Sequence, residues 1–179
     1  MSQFSPLFTP VPQPVPHSVS RGEVVPPIAA KSAVDRLAEL FTAEQLDAAI
    51  DRAARGSSSA VAVFAAAPVD CWGDGIGTEG VAAIEFVVEF FVPPASLDLF
   101  HRELEAQLLI LSPRYVTGRY RGEFGPCALH SISAGIFHQY RVTCRASSDD
   151  QRDSRWSRDR LLLDGVLHQS RTGWRELGD

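Results

Sequence analysis

The chain has 179 residues, 45% of them hydrophobic, with a formal net charge of -5 and a pI near 5.5. That is enough apolar side chain to bury one core and too little for a second full domain. The acidic balance argues against a nucleic-acid binder driven by phosphate contacts, because the eight arginines between Arg141 and Arg175 are interspersed with Asp149, Asp150, Asp153, Asp159 and Asp164.

Residues 1 to 30 hold seven of the twelve prolines, in "TPVPQPVP" and "VVPP", with few charges. Such a segment reads as a disordered or polyproline-like leader carrying a hinge remnant, with a docking peptide for a proline-recognising groove as the alternative. It has no basic start followed by an apolar segment, and no apolar run in the chain approaches the roughly 20 residues a membrane helix needs. A cytoplasmic protein with no membrane contact is expected.

Order is expected from residue 31, as a single domain over 31 to 168 with a frayed tail over 169 to 179. Its best-specified helix is "LFTAEQLDAAIDRAARG". Thr42 and Gln45 have capping-box spacing, Phe41 and Leu46 sit where a hydrophobic staple places them, and Gly56 ends the helix. Leu46, Ala49, Ile50 and Ala53 make its buried stripe.

Two strands follow. "AVAVFAAAP" (60 to 68) is small and apolar throughout, as a strand covered on both faces is, while "VAAIEFVVEFFV" (81 to 92) alternates. Ile84, Phe86, Val88 and Phe90 point one way and Glu85 and Glu89 the other, until Pro93 and Pro94 stop the strand. "GIGTEG" (75 to 80) matches a dinucleotide fingerprint in letters only. It leads into a strand instead of following one, so it reads as a hairpin loop. Glu85 and Glu89 lie about 13 Å apart by strand rise, too far for a carboxylate dyad on one bond. Solvent exposure or pairing with an arginine is expected for both.

Leu97, Phe100, Leu104, Leu108 and Leu111 then recur at helical spacing. Pro113 ends that helix near Ser112, yet Ser112 is a good N-cap and proline suits the first position of a following helix. Two helices therefore meet at a fixed corner. The second closes at Gly122 and carries Tyr115 and Arg119 on one face, for which packing and substrate contact both stay open. As packing, the Tyr115 hydroxyl finds a backbone partner and Arg119 a carboxylate such as Glu123 or Glu89.

A strand "CALHSIS" (127 to 133), a short helix from Gly135, a polar loop "ASSDDQRDSR" and a last helix over "SRDRLLLDGVL" complete the order. The expected fold class is α+β, a small, mostly antiparallel sheet backed by helices. Cys71, Cys127 and Cys144 form no C-x-x-C pair, so neither zinc nor a disulfide framework is expected. Cys127 and His130 have opposite strand parity, and the histidines form no H-x-x-x-H or H-E-x-x-H pattern. Neither a G-x-S-x-G elbow nor a G-x-x-x-x-G-K-[ST] loop is present.

One stretch points further. Leu104, Glu105, Leu108, Ser112, Tyr115 and Arg119 fall at the spacing L-D-x-x-L-x-x-x-N-x-x-Y-x-x-x-R. This resembles the C-terminal lobe of the acyl-acid amido synthetases, the auxin- and jasmonate-conjugating enzymes of plants and their bacterial relatives. Glu105 stands for the aspartate and Ser112 for the asparagine, both serine and asparagine being good N-caps. "AELFTAEQL" is similar to the family's "GEKLTEAQV", "RGEVV" (21 to 25) to its R-x-G-D-V-V hinge turn, and "GIFHQY" (135 to 140) to its G-x-F-x-x-W/Y segment. Read on without gaps, "DQRDSR" (150 to 155) falls where the family has Q-H-K-V-P-R or Q-Y-K-x-P-R. Arg152 then takes the place of the family's active-site lysine, and Arg155 matches the arginine. A rival placement on "QYRV" (139 to 142) fits the letters better but deletes a helix.

The resemblance spans residues 21 to 168 and leaves out the family's large lobe, with its phosphate loop, nucleotide pocket and acyl pocket. It implies a stand-alone C-lobe of bacterial specialised metabolism that binds no cofactor by itself. ATP and Mg would be reached only through an adenylate-forming partner protein, since a small lobe lacks the preorganised donors that hold them. Arg152, Tyr115 and Arg119 are its candidate catalytic residues. Arginine keeps the lysine's charge but not its point-like ammonium, and it cannot act as a base. Ser154 in place of the family proline loosens that loop. Two other classes stay open: a repurposed enzyme acting on a small-molecule substrate (an isomerase, cyclase or lyase), and a non-catalytic binding module. Arginine-rich usage with Lys31 as the single lysine hints at a GC-rich bacterial source.

Overall fold

Thr42 caps the first long helix as its spacing predicts: its side chain accepts the Gln45 N–H, and the Gln45 side chain accepts the Thr42 N–H at 2.9 Å. The structure, a computed structural model, describes residues 31–71, 81–144, 156–157 and 160–172. The proline-rich leader, the "GIGTEG" loop and the segment holding Arg152 and Arg155 lie outside them. The described elements are α1 (Ala33–Ala38), α2 (Ala43–Gly56), β1 (Ala60–Cys71), β2 (Val81–Val92), α3 (Leu97–Leu111), α4 (Pro113–Tyr120), β3 (Ala128–Ile132), α5 (Ile136–Cys144) and α6 (Leu161–Thr172). The fold is α+β.

The two long strands pair antiparallel, with Ala66 opposite Phe86 and Ala67 opposite Glu85. β3 joins the other edge of β2, and it runs parallel to it, Val87 opposite His130. The sheet, ordered β1-β2-β3, is therefore mostly antiparallel, as expected, with a short parallel third strand. The reason lies in the connection. Helices α3 and α4 carry the chain back from the end of β2 to its beginning, a crossover long enough to set the next strand parallel.

Helices cover both faces of this sheet. On one face Phe64, Ile84, Phe86, Val88 and Phe90 pack with Leu37, Leu46, Ile50, Phe100, Leu104, Leu108 and Tyr115. Within that core the rings of Phe90 and Phe100 meet edge to face at 5.1 Å. On the other face Ala65, Ala67 and Val87 pack with Ile136 and Phe137 of α5 and Leu163 and Val166 of α6. This second layer excludes solvent exposure, one of the two environments expected for the strand glutamates. Glu85 and Glu89 share the side of Val87, and both are buried instead of facing solvent.

Helix α6 begins at Leu161 and continues to Thr172, later than the "SRDRLLLDGVL" pattern places it. A short helix, α1, precedes the first expected one and is capped by Ser32, whose side chain accepts the Asp35 N–H. Among the described residues no helix is long and apolar enough to cross a membrane.

Candidate functional site

Ser112 closes one helix and opens the next. Its N–H donates to the Leu108 carbonyl at 3.2 Å, and its side chain accepts the Tyr115 N–H at 3.1 Å. Its backbone is extended (φ -135°, ψ 102°), the geometry that a residue before proline prefers. The corner turns α4 back along α3, so that Tyr115 and Arg119 come to face Glu105.

Glu105 is the hub of this corner. Its Oε1 accepts from Arg119 Nε at 3.0 Å, and its Oε2 accepts the main-chain N–H of Cys127 at 2.8 Å. The Tyr115 hydroxyl lies 3.3 Å from both carboxylate oxygens and 3.1 Å from the Gly125 carbonyl. Its single proton serves one acceptor at a time. Arg119 Nη1 donates to the Phe124 carbonyl at 3.0 Å. One helical turn before Glu105, His101 Nε2 donates to the Cys127 carbonyl at 2.6 Å, and because a carbonyl only accepts, that nitrogen carries the proton. Both sides of the Cys127 peptide are thus held by α3.

The Tyr115 ring is fully buried, stacked on Phe124 at 6.0 Å and edge-on to Phe41 at 5.5 Å. Burial, reinforced by the Glu105 charge, pushes its phenol above the ordinary range. The same two causes push the Cys127 thiol up. Both groups therefore stay protonated near neutral pH, so neither is an activated nucleophile. Arg119 retains 28% side-chain exposure against 16% for Glu105, and it is the member of the trio most open to solvent.

A second polar cluster lies on the α5 and α6 side of the sheet. Glu85 Oε1 accepts from His130 Nε2 at 2.6 Å, and Oε2 accepts from Arg160 Nη1. Arg160 also reaches Asp164 one turn along, Nη2 to Oδ1 at 2.9 Å. Burial lowers the affinity of Arg160 for its proton, but hydrogen bonds to Asp164 and the charge of Glu85 more than offset it, and the net shift is upward. Glu89 does different work. Its oxygens accept the main-chain N–H groups of Gly135 at 2.7 Å and Phe137 at 3.2 Å, so a strand carboxylate caps the start of α5.

The structure thus brings Tyr115 and Arg119 together, while Arg152 lies outside the described residues. Arg119 does take a carboxylate partner, but it is Glu105, not Glu123 or Glu89. Of the two strand glutamates, Glu85 takes the expected arginine, Arg160. The Glu85–His130 pair was not foreseen. Its signal is a carboxylate set among apolar residues in a strand, which must find a partner across the sheet once the face is covered. Among the described residues no group of three or more His, Cys, Asp or Glu side chains is placed to hold a metal ion. No protein-family model matches the chain, and no curated protein matches it in sequence.

Proposed function

We propose that the chain is a stand-alone small lobe of the acyl-acid amido synthetase type, assisting acyl transfer in bacterial specialised metabolism together with an adenylate-forming partner. One observation carries this reading. The six positions of the resemblance act as one unit in space: Leu104 and Leu108 are buried in the core, and Ser112, Tyr115, Arg119 and Glu105 are joined by hydrogen bonds above them.

In this reading the partner adenylates the carboxylate and holds ATP with its Mg. Tyr115 and Arg119 position the corner, and Arg152 offers a fixed positive charge to the negative charge that develops during transfer. The test is a tagged pull-down from the native host, then ATP-dependent ligation by the purified pair, with Arg152→Ala beside it. Co-elution of an adenylate-forming protein that lacks a small lobe supports the reading. Turnover by the chain alone overturns it.

A second reading has its own observation. His130 is pinned at Nε2 by Glu85, an arrangement that orients an imidazole for acid–base work on a small molecule. It requires turnover without a partner, abolished in His130→Gln. With neither a partner nor turnover, a non-catalytic binding module is left.

A further inference from the structure

Next to the corner, on the side away from Glu105, α1 and α4 enclose an open groove of about 370 Å³. Arg114 and Thr117 line it from α4 and Arg121 from the residue that caps that helix, at i, i+3, i+7 spacing, and Arg36 lines it from α1. Leu40 and Phe124 give it an apolar floor. The volume lies at the small end of the range for small-molecule sites.

The charges in this groove do not balance. Three guanidinium groups share one carboxylate, Glu123, in a chain whose net charge is -5. Glu123 sits 3.6 Å from Arg36 Nη2 and 3.9 Å from Arg121 Nη1, beyond hydrogen-bond distance of either. Arg114 makes no ion pair among the described residues. Arg36 Nη1 donates to the Lys31 carbonyl at 3.1 Å, while its Nε is buried with no acceptor among the described residues. Each guanidinium offers five donors in a planar fork, and one distant carboxylate cannot use them.

From this geometry we infer that the groove is a binding site for a phosphate monoester with an apolar body. Three positive charges less one negative leave a net of two, which matches the phosphate dianion better than a single carboxylate. Arg114 and Arg121 clamp the phosphate oxygens from α4 and its cap, Thr117 lies between them, and the ligand's apolar part lies on Leu40 and Phe124. Glu123 is the resident counter-charge that a bound anion must outcompete. None of this depends on the adenylating partner or on Arg152.

The experiment is calorimetric titration of the full chain with phenyl phosphate, benzoate and inorganic phosphate. Phenyl phosphate should bind at least tenfold more tightly than the other two, and more weakly as salt rises. Arg114→Ala combined with Arg121→Ala should weaken it tenfold or more, whereas Glu123→Gln should tighten it severalfold. Both arginines are exposed, so circular dichroism should report an unchanged fold for the double variant. Inorganic phosphate binding as well as phenyl phosphate would remove the apolar body from the proposal. Benzoate binding as well as phenyl phosphate would replace the phosphate by a carboxylate. Equal binding of phenyl phosphate by the wild type and the double variant, or no binding at millimolar concentration, overturns the site.

Discussion

The carboxylate of Glu105 accepts the main-chain N–H of Cys127 at 2.8 Å, across 22 positions of sequence, and so helix α3 fixes where the third strand begins. The same carboxylate holds Arg119 and lies within reach of the Tyr115 hydroxyl. Removing it leaves a partly buried guanidinium and a main-chain donor without their acceptor. Glu105→Ala should therefore cost about 2–3 kcal/mol. For a domain of this size that lowers the melting temperature by about 2–4 °C per kcal/mol. Glu105→Gln keeps one acceptor oxygen and should cost less. Urea unfolding of both variants, with Arg119→Met in a double-mutant cycle, checks the order; a Glu105→Gln variant as stable as the wild type would mean the charge is idle.

Gly118 lets α4 lie against the Phe124 ring. A Cβ there would stand 2.2 Å from Phe124 Cδ2, so the ring must move, and with it the stack on Tyr115. Gly118→Ala should destabilise by about 1–3 kcal/mol despite alanine's better helix propensity. Phe124→Leu in the same chain should recover part of the loss. The expected sign is opposite to that of an unhindered helix glycine, which makes thermal melting of the single and double variants decisive.

The raised Cys127 thiol and Tyr115 phenol give stability a defined pH dependence. In the unfolded chain these groups ionise near their ordinary values of 9.0 and 10.0, while burial and Glu105 hold both protonated in the fold. Above pH 9 the unfolded state therefore binds fewer protons than the folded one, and stability falls as pH rises. Their contribution is complete below pH 9 and lost progressively above it. The slope approaches about 1.4 kcal/mol per pH unit for each group fully ionised only when unfolded. Urea midpoints from pH 8 to 11 should show this decline, and Tyr115→Phe should flatten its upper part. At pH 8, alkylation mapped by mass spectrometry should label the half-buried Cys144 well before the buried Cys127.

What could be read from the residues was local. The Thr42 cap, the limits of β2 and the Ser112 corner rest on neighbours a few positions apart, where capping, alternation and proline sterics decide the outcome. The parallel placement of β3 and the burial of Glu85 and Glu89 depend on which helices return to which face, over separations of 45 to 75 residues. No local pattern carries that information. The corner was half legible: spacing put Tyr115 and Arg119 on one face, but their joint partner sits a helix away, at Glu105. Helix α1, six residues long, is too short for its periodicity to stand out.

Glu85 and Glu89 occupy the same face of one strand, yet substitution should separate their roles. Among the described residues Glu89 serves main-chain donors, the N–H groups of Gly135 and Phe137 at the start of α5. Glu89→Ala orphans both at a buried helix end and should cost about 1.5–3 kcal/mol, concentrated in α5. Hydrogen exchange should then speed up at Phe137 and through the first turn of α5, with α2 and α3 little changed. Glu85 serves side chains, and Arg160 keeps Asp164 when Glu85 is removed. Glu85→Ala should therefore leave α5 protected and act at His130, whose imidazole loses the acceptor that orients it. NMR of the His130 ring reads that change directly, since the ring should lose the fixed orientation that its hydrogen bond to Glu85 imposes. Unchanged ring resonances in Glu85→Ala would show that the pair at 2.6 Å holds no weight in solution, and the acid–base reading of His130 would go with it.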